Sequence, residues 1–283
     1  MPVEAVHLSG LLDSVAESSL WVRRATSGPF HRAARLGALF VDLPYFDRFS
    51  QAVVRYALRT AQTPSVWGDV FHQRTPIALG IALAEAGHQL AQQSATEADG
   101  QTLMALSLGY ISHAAMDTSM HPHINRLART RAARTGLSPS VEHQEIEKFH
   151  SLLFHEQRFG TDLMGTQKMR AYIGLDAHLL GEPGPLSDAV QRAIVSLHGK
   201  SPSRQDFQRY ASGYASYARL IGNAIVGPRI GPKVAREAAR AEAEGRGDGG
   251  REPADGDVLL AVLVDGLAVL RHVRVEVAGP DHA

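Results

Sequence analysis

The chain contains no cysteine. Disulfide staples and thiolate metal sites are therefore excluded, and any metal must be held by histidine, aspartate or glutamate. Net charge is also absent, with 29 Lys and Arg balanced by 29 Asp and Glu. That removes the long-range attraction on which nucleic-acid and anionic-membrane binders usually rely. Aromatic residues make up only 6% of the chain, few for a protein that stacks on exposed bases. The longest apolar run, Val258–Leu270, is broken by Asp265 and Gly266, and is too short and too polar to span a bilayer. The opening residues, Met1-Pro-Val-Glu-Ala-Val-His7, lack a basic stretch followed by an apolar one. The expectation is a cytoplasmic chain without a secretory signal.

What remains is a helical, core-forming chain. It has 283 residues and 44% hydrophobic content, enough for one large domain or two small ones. Ala, Leu and Arg recur at helical spacing, and alternating β patterns are scarce. Leu103, Leu106 and Tyr110 form an inward stripe ahead of His113. Ser138-Pro139 has the form of an N-cap followed by a first-turn proline, opening a helix to about Phe154. Val53–Ala61, Ile77–Gln92 and Phe207–Val226 also read as helices. Glycine and proline mark breaks at 26–29, 181–185, 199–203 and 227–232. The fold class expected is all-α, a multi-helix bundle over residues 1–230. Residues 231–257 read as a charged helix and a Gly/Asp/Glu/Arg linker. Residues 258–283 read as a short apolar helix and tail, suited to packing on the bundle or to a homo-oligomer contact.

Ten of the fourteen histidines precede residue 156. Two segments concentrate them with carboxylates: His113-Ala-Ala-Met-Asp117-Thr-Ser-Met-His121-Pro-His123, and His143-Gln-Glu-Ile-Glu147. His113 and Asp117, and likewise His143 and Glu147, are four residues apart. On a helix that spacing stacks two side chains on one face, so both can reach one cation. Neutral imidazole with carboxylate suits Zn²⁺ and a catalytic rather than purely structural site. Pro122 is expected to end the helix, letting His123 swing across to a different ion.

At these residues the chain resembles the zinc-dependent phospholipase C family, whose superfamily includes the P1-type nucleases. The segment from Leu108 to Ile124 resembles that family's central motif, with His-to-Asp spacing of four and His-to-His spacing of ten. His143 and Glu147 match its following pair. Gly37-Ala-Leu-Phe-Val-Asp42-Leu-Pro resembles its aspartate segment, Trp67-Gly-Asp-Val-Phe-His72 its next histidine, and His7 its N-terminal histidine. The resemblance implies an all-α bundle holding two or three zinc ions. One ion would be held by Asp42, His72, His113 and Asp117, and a second by His123, His143 and Glu147. A third would use His7 and share Asp117. Catalysis would fall to a metal-bound hydroxide, with Asp42 handling its proton and Asp117 bridging the ions. The implied substrate is a phospholipid or a small phosphoester, with a nuclease or nucleotidase, or a metal-binding protein without turnover, as the alternatives. Secreted members use their mature N-terminal residue in the third site, and His31 is a candidate to replace it here. His121 is a candidate for contact with the ions or the phosphate. Phosphocholine-selective members carry tyrosine directly after the aspartate. Here that position is Leu43, with Tyr45 two residues on, so choline recognition is not implied.

Overall fold

The computed structural model describes residues 3–49, 65–73, 76–159, 167–175 and 177–221. The helix expected at Val53–Ala61 and everything expected beyond residue 221 lie outside the described residues. That includes the charged helix, the linker and the C-terminal oligomer contact. Among the described residues the only regular secondary structure is helical. The helices are α1 (Val3–Glu17), α2 (Leu20–Ala25), α3 (His31–Phe40), α4 (Val66–Gln73), α5 (Pro76–Ala91), α6 (Glu97–Thr135), α7 (Pro139–Phe159), α8 (Gln167–Ile173), α9 (Pro185–His198) and α10 (Arg204–Ile221). Short 3₁₀ turns stand at Gly28–Phe30, Leu43–Phe46 and Ala177–Leu180. None of the described helices is long and apolar enough to cross a membrane.

The 39-residue α6 is the axis of the fold, packing against α3, α5 and α7. Glu97 and Asp99 lie at its positive end. Gly136 closes the other end in the left-handed conformation, with φ of 71° and its N–H bonded to the Ala132 carbonyl. The predicted stripe is the core-facing one: Leu103, Leu106 and Tyr110 are wholly buried among Leu36, Leu39, Phe40, Leu79 and Leu83.

Helices α3 and α6 cross at two glycines. A Cβ on Gly37 would collide with the Leu106 carbonyl oxygen, and one on Gly109 with that of Ala34. Backbone therefore meets backbone, a separation no larger residue permits.

Pro122 does not end α6, contrary to expectation; the helix runs through it to Thr135. Proline removes one helical hydrogen bond and crowds the preceding turn, costing about 3 kcal/mol. Beyond it, Ile124 and Ala128 are buried with Ile146 of α7, and Met120 and Leu127 pack against them. Burial of such side chains is worth about 1.5–3 kcal/mol each, so tertiary packing outweighs the local defect. The α6–α7 hairpin is tied further by buried Glu142, which pairs with the Arg131 guanidinium at 2.9 Å and accepts from the Thr135 hydroxyl at 2.6 Å. Helix α7 opens as expected, with the Ser138 Oγ accepting from the Val141 N–H at 3.3 Å.

Helix α1 lies across α3, α6 and α7 and buries an acidic residue. Glu4 accepts a 2.7 Å hydrogen bond from the Tyr217 hydroxyl of α10. Burial pushes its carboxyl up from 4.5 to about 7, and the charge of Asp42 adds to the shift. The folded state thus keeps a proton that the unfolded chain releases above 4.5, so stability falls between about pH 4.5 and 7. At 1.36 kcal/mol per unit the loss is about 3 kcal/mol. Glu4→Gln, which still accepts from Tyr217, is expected to raise the urea midpoint at pH 8 and leave it unchanged at pH 4. Equal midpoints for the two proteins at pH 8 would contradict the burial effect.

Candidate metal centre

The core stripe of α6 changes chemistry at its midpoint. After Leu103, Leu106 and Tyr110 the same face carries His113, Asp117 and His121, each a helical turn apart. The neighbouring helices bring the rest. α1 contributes His7, the turn after α3 contributes Asp42, α4 contributes His72, and α7 contributes His143 and Glu147.

Asp117 is the centre of the cluster. Its Oδ2 lies 3.1 Å from His113 Nε2 and 3.5 Å from His72 Nε2. Its Oδ1 lies 3.6 Å from both His7 Nε2 and His121 Nε2. One carboxylate therefore faces four imidazoles, two on each oxygen. His72 Nε2 also stands 3.2 Å from Asp42 Oδ1. His121 Nε2 reaches Glu147 Oε1 at 3.4 Å, and His143 Nε2 reaches the same oxygen at 2.8 Å.

The rings are oriented from behind. His113 Nδ1–H donates to the Ala38 carbonyl at 2.7 Å, His72 Nδ1–H to the Gly68 carbonyl at 2.8 Å, and His143 Nδ1–H to Asn125 Oδ1 at 2.9 Å. A carbonyl only accepts, so the proton of these rings sits on Nδ1 and Nε2 is the atom turned into the cluster. Neutral rings so placed would point lone pairs at carboxylate oxygens. A proton or a cation between them is required. His113 makes the point sharply: its buried Nε2 stands 3.1 Å from Asp117 Oδ2 without completing a hydrogen bond. The buried Nδ1 of His7 has no hydrogen-bond partner either.

Without a cation, protons do the work. Burial opposes charge on His113, but Asp117 and Asp42 outweigh it and raise the ring to about 9. Burial pushes His7 down to about 4, with His113 adding to the effect. The two rings stack at 3.8 Å with planes 13° apart, and two imidazolium ions would repel there. Burial disfavours ionised Glu147, yet hydrogen bonding to His121 and His143 carries its carboxyl down to about 2. Asp117 and Asp42 are likewise held below the usual carboxylate range, burial being outweighed by the surrounding imidazoles.

Among the described residues, three sets have donor atoms within 4.8 Å of one another inside each set: His7, His113 and Asp117; Asp42, His72 and His113; and His121, His143 and Glu147. Each is a cluster able to hold a metal ion. Bonds to zinc of about 2.0–2.2 Å would need only small inward shifts. His113 belongs to two sets but has one nitrogen to offer, the other being spent on Ala38.

Of the residues expected at the site, the structure gathers His7, Asp42, His72, His113, Asp117, His121, His143 and Glu147. It does not gather His123 or His31 into these sets. Because α6 continues through Pro122, His123 points about 200° around the helix from His121. Its Nδ1 accepts from Arg126 Nη2 at 3.2 Å, and its ring lies 6.3 Å from that of His150. His121 occupies the place by Glu147 expected for His123. His31 opens α3. Asn125, which orients His143, went unread in the sequence; its spacing of four from His121 signals a shared face only if the helix survives the proline.

Two cavities adjoin the cluster. One of about 120 Å³ is lined by Val41, Phe71, Pro76, Ala114 and Thr118 beside His72, His113, Asp117 and His121. A smaller one of about 20 Å³ lies across Asp117 and His121, among His7, Met120, Ile124, Glu147 and Phe154. Among the described residues neither has an arginine or lysine in its lining. No known protein family, curated protein or solved structure matches the chain.

Proposed function

We propose that the chain is a zinc-dependent phosphoric ester hydrolase of the phospholipase C type. The carrying observation is Asp117, whose two oxygens each face a different pair of imidazoles. A carboxylate so placed is suited to bridge two divalent cations. Asp42, His72, His113 and Asp117 would hold one; His121, His143 and Glu147, with the second oxygen of Asp117, would hold the other. His113 has a single available nitrogen, so His7 is left with Asp117 alone, and two ions fit the donor set better than three. The donors are imidazole and carboxylate without thiolate, which suits zinc. Bound there, such a pair stabilises charge on a phosphoryl group and acidifies water.

The chain's own residues supply the rest. Asp42 stays ionised at neutral pH and accepts a hydrogen bond from the attacking water, fixing its direction. The Ala38, Gly68 and Asn125 acceptors hold the imidazoles in one tautomer, so no ring has to turn during the reaction. The larger cavity has room for a phosphoryl group against the apolar wall of Val41, Phe71 and Pro76. A nuclease reading is less well supported, since the chain carries no net charge and only 6% aromatic residues.

The test is elemental analysis of the purified chain with hydrolysis of p-nitrophenyl phosphate, bis(p-nitrophenyl) phosphate and p-nitrophenyl phosphorylcholine. About two zinc ions per chain are expected, as the two donor sets imply. Activity on at least one ester should be lost to a chelator and restored by zinc. Hydrolysis that survives complete metal removal would overturn the proposal, as would metal-loaded protein inert on all three.

A further inference from the structure

We infer that Tyr45 is a positioning residue for the set of Asp42, His72, His113 and Asp117, its ring holding the imidazole of His72 in its ligating orientation. The inference rests on the reading of His72 as a ligand. Helix α4 has only eight residues, too few to be stable alone. Phe71 is wholly buried and its carbonyl accepts from the Tyr110 hydroxyl at 3.4 Å, while Trp67 and Val70 pack more loosely against the same core. Even a small rotation about the helix axis would carry His72 away from Asp42 and Asp117.

Tyr45 opposes that rotation. It projects from the 3₁₀ turn Leu43–Phe46, directly after Asp42, so the segment that supplies the carboxylate also braces the histidine. Its ring lies over Gly68, one helical turn before His72; a Cβ there would stand 2.6 Å from the ring carbons Cε1 and Cζ. The ring centre is 5.4 Å from that of His72, tilted by 45°. The hydroxyl donates to Asp69 Oδ1 at 3.3 Å and sits 3.5 Å from His72 Nδ1. The latter contact is secondary, because the Nδ1 proton already goes to Gly68 O at 2.8 Å. The phenol ring is therefore a plate against which both the Gly68 backbone and the His72 ring rest.

The experiment is a Co²⁺ titration of the metal-free full-length chain, read by visible absorption. Wild type is expected to take up two ions. Tyr45→Ala is expected to weaken one of them by about 10- to 100-fold, the range for loss of an orienting partner, and to change its spectrum. Tyr45→Phe keeps the plate and should stay within about twofold of wild type. Gly68→Ala displaces the ring and should match Tyr45→Ala, while the double variant should be no weaker than Gly68→Ala alone, as for coupled neighbours. In a His72→Ala background, Tyr45→Ala should have no further effect on cobalt affinity, whereas a merely structural tyrosine would still lower it. Tyr45→Ala with wild-type affinity and spectrum would overturn the inference and leave the metal reading intact. A Tyr45→Phe as weak as Tyr45→Ala would also overturn it, by assigning the effect to the hydroxyl. Wild type that binds no cobalt would overturn both.

Discussion

Asp117→Asn is expected to lower phosphoester hydrolysis by about 1000-fold or more, equivalent to about 4 kcal/mol of transition-state stabilisation. The carboxylate stands among four imidazoles at 3.1–3.6 Å, so an uncharged amide weakens both cation sites together. Zinc content should fall with activity. The metal-free protein should suffer as well, since removing one partner from a buried charge cluster costs about 3–5 kcal/mol. The pH dependence identifies the cause. In the wild type, Asp117 and Asp42 overcome burial and hold His113 protonated up to about 9, from an ordinary 6.5. A raised histidine stabilises the fold fully below 6.5, and that contribution fades as pH rises through about 9. Urea midpoints in chelator should therefore decline between pH 6.5 and 9 in the wild type. In the variant that decline should largely vanish, because the unpaired ring gives up its proton. Undiminished hydrolysis by Asp117→Asn would refute the bridging role.

The second large effect is expected at a residue that itself offers no donor atom. Gly109→Ala puts a methyl group into the Ala34 carbonyl and 2.7 Å from the Ala38 nitrogen. A helix interior normally gains about 1 kcal/mol when alanine replaces glycine. Here the helices must separate instead, at an overpacking cost of about 1–3 kcal/mol or more. A net loss of about 2 kcal/mol is expected, visible as a lower urea midpoint. Function should suffer beyond that loss. The hydrogen bond from His113 Nδ1–H to Ala38 O spans this same crossing, and separation of the axes releases the ring. Zinc affinity should fall by about tenfold even in the fraction that remains folded, as for other losses of an orienting acceptor. Unchanged midpoint and affinity would show that the crossing tolerates a methyl group.

Much of this site is legible along the chain because α-helical geometry is local. A spacing of four places His113 over Asp117 and His143 over Glu147 wherever the helices pack. The inward stripe Leu103–Leu106–Tyr110 predicts which way those side chains face. Pro122 was misleading for a related reason. Its cost is local and readable, whereas the burial of Ile124 and Ala128 against Ile146 depends on a neighbouring helix. Once the helix continues, His121 rather than His123 meets Glu147. The acceptors behind the rings stayed hidden because two of them are backbone carbonyls, at Ala38 and Gly68, and a carbonyl has no residue identity to read.

The sequence by itself therefore determined the helical class, the chemistry of the donors and the pairing of residues one turn apart, since all three follow from side-chain type and the 3.6-residue period. Tertiary structure alone decided which helices converge on Asp117, that both its oxygens are shared, and that Tyr45 braces His72. Those outcomes depend on how closely packed backbones approach. Gly37 and Gly109 set that distance at the α3–α6 crossing, and its effect on His113 cannot be read from either segment alone.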